Sequence, residues 1–316
     1  MAKYRHCLPH AAGRLFVTDG GLETTLIYHD DVELPFFAAF DLLKNAAGVA
    51  RLRTYFTRYI EIARAHKLGI VLESPTWRAS HDWGRKLGYD DPALADANRS
   101  AIDLLLDLRA QFETAATAIV VSGNLGPRGD GYRPDSRMSA REAQSYHAAQ
   151  IETFAHADAD MVSALTMNYS AEAIGIAAAA KAAAMRVAIS FTLETDGRLP
   201  SGESLEQALA RTDEATERYP EYYMINCAHP THFEHVLRDG GAWLSRIRGL
   251  RCNASKRAHA QLDEATELDA GDPRELGAQY RSLHALIPQL AVVGGCCGTD
   301  HRHVEAICSA LGRSRV

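Results

Sequence analysis

Eight short apolar runs, each continuous rather than alternating, narrow the choice of fold more than anything else in this chain. They read "RLFVTD" from Arg14, "GIVLES" from Gly69, "AIVVSG" from Ala118, "DMVSAL" from Asp160, "RVAISFT" from Arg186, "YYMINC" from Tyr222, "IRGLRCN" from Ile247 and "LAVVGG" from Leu290. A strand that is apolar at successive positions is covered on both faces, as in a parallel sheet flanked by helices. Helical stretches follow the runs, beginning near Gly48, Pro92, Ser139, Ser170, Ser204, Thr231, Asp272 and Asp300. Ser139, Ser170, Ser204 and Asp272, the last preceding Pro273, read as N-caps.

Eight β–α units in 316 residues predict an α/β fold of the (β/α)8 TIM-barrel type, with residues 1–316 as a single domain. No stretch rich in Ser, Pro and Gly divides the pattern; a doubly wound open sheet is the structural alternative. In a barrel, chemistry gathers at the C-terminal strand ends. Those ends read "TDGGLET", "ESPTWRAS", "SGNLGPRGDGY", "LTMNYSAE", "TLETDGRLPSGES", "NCAHPT", "CNASKRAH" and "GGCCGTDH", where polar residues, glycines and cysteines concentrate.

Composition excludes several classes of function. Hydrophobic residues make up 47% and charged residues 23%, the balance of a globular protein with a large core. A net charge of -6 leaves no basic footprint, so no nucleic-acid partner is expected. Apolar stretches such as "AIGIAAAA" are too short to span a bilayer, and "MAKYRHCLPH" lacks the apolar core of a signal peptide. The expectation is a cytoplasmic protein with small-molecule partners and no membrane partner; oligomeric state is not legible.

The six cysteines then point to a site. Neighbouring strand residues face opposite ways, so Cys296 and Cys297 converge only where the backbone leaves strand geometry, and Gly294, Gly295 and Gly298 are expected to allow this. Adjacent thiols suit a tetrahedral soft cation better than an ordinary disulfide. Cys227, ending the sixth run, is the best-placed third ligand, with Cys252 at the end of the seventh as a competitor. Cys7 lies before the first run and Cys308 in the last helix.

"DGGLETTL", "GNLGPRGDGY", "NCAHP" and "GGCCGT" together resemble the homocysteine S-methyltransferase family over nearly the whole chain. The resemblance implies a zinc-dependent barrel that moves a methyl group from a small cationic donor to the thiol of homocysteine, giving methionine. It maps the Zn2+ ligands and catalytic centre onto Cys227, Cys296 and Cys297. Asp19, Gly20, Gly21, Thr24, Thr76 and Asn124 are the substrate-binding candidates at the strand ends, and Asn226 a support for the adjoining cysteine. Trp77, Trp83, Tyr132 and Tyr169 offer aromatic faces to a cationic donor. With 316 residues there is no room for the folate and cobalamin modules of larger relatives, which favours S-methylmethionine or S-adenosylmethionine as donor, with betaine second.

The fourth strand end departs from the family. Leu165 stands where relatives carry a glutamate that resembles an anchor for the homocysteine amino group, and Glu194, or else Glu73, is the candidate replacement. The seventh strand end is unusually long and polar; Asn253 matches a family asparagine, while Lys256, Arg257 and His259 either bind an acidic group or face water. His229, His301 and His303 read as loop or helix-start residues. Competing readings are methylation of a different small thiol, and a non-catalytic zinc or thiol sensor or binding barrel.

Overall fold

The computed structural model describes residues 2–312. Its strands are β1 (Phe16–Val17), β2 (Gly69–Glu73), β3 (Ile119–Leu125), β4 (Met161–Met167), β5 (Arg186–Phe191), β6 (Tyr222–Asn226), β7 (Ile247–Cys252) and β8 (Val292–Gly295). They pair in parallel in chain order, and β8 returns to β1 to close a (β/α)8 barrel. Each expected run coincides with one strand, β3 and β4 extending two residues beyond theirs. The open-sheet alternative is thereby excluded.

The strands are buried at nearly every position because both faces are packed. Residues such as Val17, Ile70, Leu72, Val121, Val162, Val187, Ile225 and Val293 meet the helices in the main core. Their alternate neighbours, including Phe16, Val71, Val120, Met161, Ala188, Tyr222, Met224 and Val292, form a second cluster inside the barrel.

The helices are α1 (Leu22–Tyr28), α2 (Ala46–Ala65), α3 (His81–Lys86), α4 (Asp91–Phe112), α5 (Ala140–His156), α6 (Ser170–Ala182), α7 (Leu205–Thr216), α8 (Pro230–Arg238), α9 (His259–Asp263), α10 (Pro273–Leu286) and α11 (His301–Gly312). Eight of them answer to the expected stretches. The short α1, α3 and α9 are additions on the connections after β1, β2 and β7, at the end of the barrel where the cysteines lie.

Ser139 and Ser204 form capping boxes with Glu142 and Gln207, and Asp272 accepts from the N–H groups of Arg274 and Glu275. Ser170 departs from expectation. It is the first helical residue rather than the cap, and both its N–H and its hydroxyl donate to Glu203.

At the opposite end the N-terminal segment closes the barrel. The Tyr4 N–H donates to Asp160 Oδ1 at 2.8 Å, while Arg109 Nη1 and the Val121 N–H donate to Asp160 Oδ2 at 2.6 and 2.9 Å. Leu8 packs onto the inner cluster. No helix among the described residues is long and apolar enough to cross a membrane.

Candidate active site

Cys227 follows β6, and Cys296 and Cys297 follow β8, the strand ends where the chain is free to turn. The three sulfurs lie within 4.8 Å of one another, with Cys227 and Cys297 at 3.9 Å. A tetrahedral zinc with Zn–S bonds near 2.3 Å would hold sulfurs about 3.8 Å apart, so the triad has only slightly to contract to take one. The donor set fits that metal.

The turn into the cluster matches expectation at Gly298 but not at Gly294 or at Gly295, where a Cβ would lie 2.0 Å from Thr299 Oγ1. Gly298 has φ +78°, which an L side chain rarely adopts. Gly294 has no such φ; a Cβ there would lie 1.9 Å from Thr18 Oγ1, so it is needed for the close approach of β8 to the end of β1 rather than for backbone freedom.

Each sulfur meets one polar neighbour from another strand end. Tyr132 Oη is 3.9 Å from Cys297 Sγ, Thr166 Oγ1 is 4.0 Å from Cys227 Sγ, and Asn226 Nδ2 donates to Cys296 Sγ at 3.9 Å. Such contacts orient sulfur and soften its charge. Asn226 also accepts from the Thr166 N–H and the Ser190 hydroxyl. Cys227 and Thr166 both adopt positive φ, 54° and 64°, a strained state for non-glycine residues that the surrounding bonds hold in place.

Hydrogen bonds from the Cys296 and Cys297 thiols hold the Cys227 thiol well below its ordinary pKa. With charge on Cys227, Cys296 is pushed up to about 12 and Cys297 well above its usual range. The triad therefore loses one proton readily and resists losing more unless a cation joins it. Cys252 and Cys308 are buried outside the sulfur triad, each pushed up to about 12 by desolvation, and Cys7 is exposed. They behave as packing or surface residues.

The cluster lies on a cavity of about 260 Å³. Beside it the buried Arg251 donates from Nη2 to Asp19 Oδ1 at 2.6 Å and to the Gly20 carbonyl, from Nε to the Gly295 carbonyl, and pairs through Nη1 with Glu73. Tyr55 donates to Asp19 Oδ2 at 3.0 Å. Asp19 and Glu73 are thus held by protein groups.

A family model of homocysteine S-methyltransferases matches residues 16–311. The chain belongs to the homocysteine S-methyltransferase family. The fold is that of the Escherichia coli homocysteine methyltransferase MmuM: its metallated form is 19% identical, with TM-score 0.71 over 94% of this chain and 96% of that one. The oxidized form is 20% identical, with TM-score 0.71 over 93% and 95%. Among curated proteins, no relative matches the sequence significantly.

Within this family member, Asp19, Gly20, Gly21, Thr24 and Asn124 all line the cavity, as do the three cysteines. The Gly21 N–H is taken by the Thr299 carbonyl and Thr24 Oγ1 accepts from Gly298 N–H, so both brace the turn that carries the thiols. Asn124 Oδ1 is buried without a partner. Thr76 and Glu194 are not brought to the cavity lining. Thr76 is buried behind it, donating to the Asn124 carbonyl; Glu194 pairs with His259 at 3.1 Å.

Of the four aromatics, Trp77 and Tyr132 line the cavity, whereas Trp83 and Tyr169 do not. Tyr132 stacks on the buried His259, whose Nε2 is bonded to the Cys227 carbonyl. Lys256 pairs with Glu275 on the outer surface, and the exposed Arg257 pairs with Asp269. The long segment after β7 folds over the mouth instead, contributing Leu262, Ala265, Glu267, Leu268 and Asp269 to the wall.

Sequence reasoning missed Arg251, Thr166, Arg78 and Glu23. All four line the cavity. Glu23, in the first turn of α1, is pushed up to about 7 by burial. "DGGLETTL" and "PTWRAS" contain Glu23 and Arg78, but nothing local marks them as facing inward.

Proposed function

We propose that this protein transfers a methyl group from a small cationic donor to the thiol of homocysteine, giving methionine, with Zn2+ held by Cys227, Cys296 and Cys297. The observation that carries this is the triad itself: three thiols within 4.8 Å, each met by its own polar neighbour, lining one cavity. Cys227, Cys296 and Cys297 would hold the zinc, which when bound would supply Lewis acidity that favours the thiolate form of an acceptor near neutral pH.

The protein's own residues supply the rest. Thr166, Asn226 and Tyr132 set the orientation of the three sulfurs, and Arg251 keeps Asp19 and Glu73 from adding uncompensated charge beside them. In the transfer, the acceptor sulfur's electron pair forms the new S–CH3 bond while the donor's bond to that methyl breaks, its electrons returning to a sulfonium or ammonium that leaves neutral. Glu23, Asp130, Glu267 and Asp269 around the cavity favour entry of such a cation. S-methylmethionine or S-adenosylmethionine is the preferred donor, with betaine less favoured, and the whole chain acts as one domain.

The test is methyl transfer by zinc-loaded protein, read by mass spectrometry, offering homocysteine and a panel of other thiols with each of the three donors. Methionine formation supports the reading. Preferential methylation of another thiol would replace the acceptor, and zinc binding without any transfer would favour a sensor or binding barrel.

A further inference from the structure

Among the described residues three arginines are buried: Arg78, Arg109 and Arg251. Arg109 has Asp160, and Arg251 has Asp19 and Glu73. Arg78, only 7% exposed, forms no such pair with any described residue. Its guanidinium is sandwiched between the rings of Trp77 and Trp83, 4.0 and 3.8 Å from their centroids, and Nη1 donates to the Gly129 carbonyl at 3.0 Å. Its Nε is buried with no acceptor.

A guanidinium removed from water with one neutral acceptor is costly, and the group that would complete it is a planar anion with two oxygens. The aromatic sandwich fixes the plane of the fork, so the site is built in advance. Because Arg78 occupies the faces of Trp77 and Trp83 turned toward it, those faces serve the arginine rather than a donor cation.

Glu23 lines the same cavity, and no described residue forms an ion pair with it. The charges of Asp19, Cys296 and Arg251 act on it, and Arg78 feels Asp130 first and Glu23 more weakly, neither close enough to form an ion pair. Thiol cluster, carboxylate and guanidinium thus line one cavity. An α-amino acid bearing a side-chain thiol presents sulfur, ammonium and carboxylate to match.

We propose that Arg78 and Glu23 anchor the amino-acid end of the acceptor, Arg78 taking its carboxylate and Glu23 its ammonium, in the place of the charge that Leu165 lacks. The proposal rests on the methyl-transfer reading for the identity of the acceptor but is tested by binding.

Calorimetric titration of the zinc-loaded protein compares homocysteine with 3-mercaptopropylamine, which lacks the carboxylate, and 4-mercaptobutanoate, which lacks the amine. R78Q should weaken homocysteine and 4-mercaptobutanoate by roughly tenfold or more and leave 3-mercaptopropylamine unchanged. E23Q should weaken homocysteine and 3-mercaptopropylamine and spare 4-mercaptobutanoate. R78K, keeping charge but not the fork, should fall between wild type and R78Q.

Equal weakening of all three ligands by R78Q, no weakening of any, or wild-type protein that binds no homocysteine at millimolar concentration would overturn the proposal. The two readings separate cleanly. Wild-type protein that binds in the expected pattern but methylates nothing defeats the transfer reading and keeps the anchor; one that makes methionine while R78Q and E23Q bind normally does the reverse.

Discussion

At one end of the barrel the buried ion pair is complete, whereas the other end pairs part of its buried charge and leaves part unpaired. At the end closed by the N-terminal segment, Asp160 receives bonds from Arg109 and from the N–H groups of Tyr4 and Val121, and the flanking Arg186 and Arg248 hold backbone carbonyls of that segment. At the cysteine end, Cys227 and Thr166 are held at positive φ, Asn124 Oδ1 and Arg78 Nε lack partners, and Glu23 stands without an ion pair among the described residues. A fully satisfied polar group stabilises the fold, whereas an unsatisfied one in a cavity is a place kept for something else. The contrast predicts that substitutions at one end change function and at the other change stability.

The sharpest test is Cys297→Ala. It should abolish tight zinc binding and methyl transfer together while leaving the thermal midpoint of the barrel close to wild type; one equivalent of retained zinc with full turnover would sink the three-sulfur assignment. At the other end, Asp160→Ala leaves Arg109 buried without its carboxylate and should destabilise the fold by about 3–5 kcal/mol, with zinc content per folded molecule unchanged. Denaturant titration alongside metal analysis checks both halves of that statement.

Asn226→Ala joins the two effects, since Asn226 touches Cys296 and also ties Thr166 to Ser190. A metal affinity lower by roughly 10- to 100-fold is expected from competition with a chelator. A smaller effect concerns pH. His10 sits at the closed end between the rings of Phe16 and Tyr222, with both nitrogens unpartnered, and burial, aided by Arg248, pushes it down to about 4.

Its folded pKa is below the unfolded value near 6.5, so between those two values the unfolded chain binds a proton that the folded chain refuses. Stability from His10 is complete above about 6.5 and declines as pH falls toward 4. His10→Phe should flatten that part of the pH dependence, seen by comparing denaturation midpoints at pH 7 and 5 with those of wild type. Smallest of all, Ser204→Ala removes a capping box on α7 and should cost about 1 kcal/mol with no change in zinc binding or transfer.

The legible part of this protein is its periodic and local part. Continuous apolar runs give parallel strands wherever they fall, because burial on both faces admits no other pattern, and all eight became barrel strands. The thiol pair was legible because two adjacent cysteines among glycines have few structural uses; Cys227 and Cys252 both end apolar runs, and it was the family resemblance of "NCAHP" that singled out Cys227. Ser170 was misread for a related reason: a serine before a helical stretch suits a cap, but Glu203, 33 residues away in sequence, takes its hydroxyl.

Sequence by itself therefore determined the barrel, the end at which the polar residues gather, and the three cysteines that meet there. Only the tertiary structure decided which charges cancel. That Arg251 reaches Asp19 across 232 residues, that Glu194 turns to His259 instead of the cavity, and that Arg78 is left between two tryptophans with no carboxylate are outcomes of closing the ring. The physical reason is range. Burial preference is written residue by residue along a strand, but the electrostatic state of a buried group is set by neighbours that become neighbours only when distant strand ends meet around one axis.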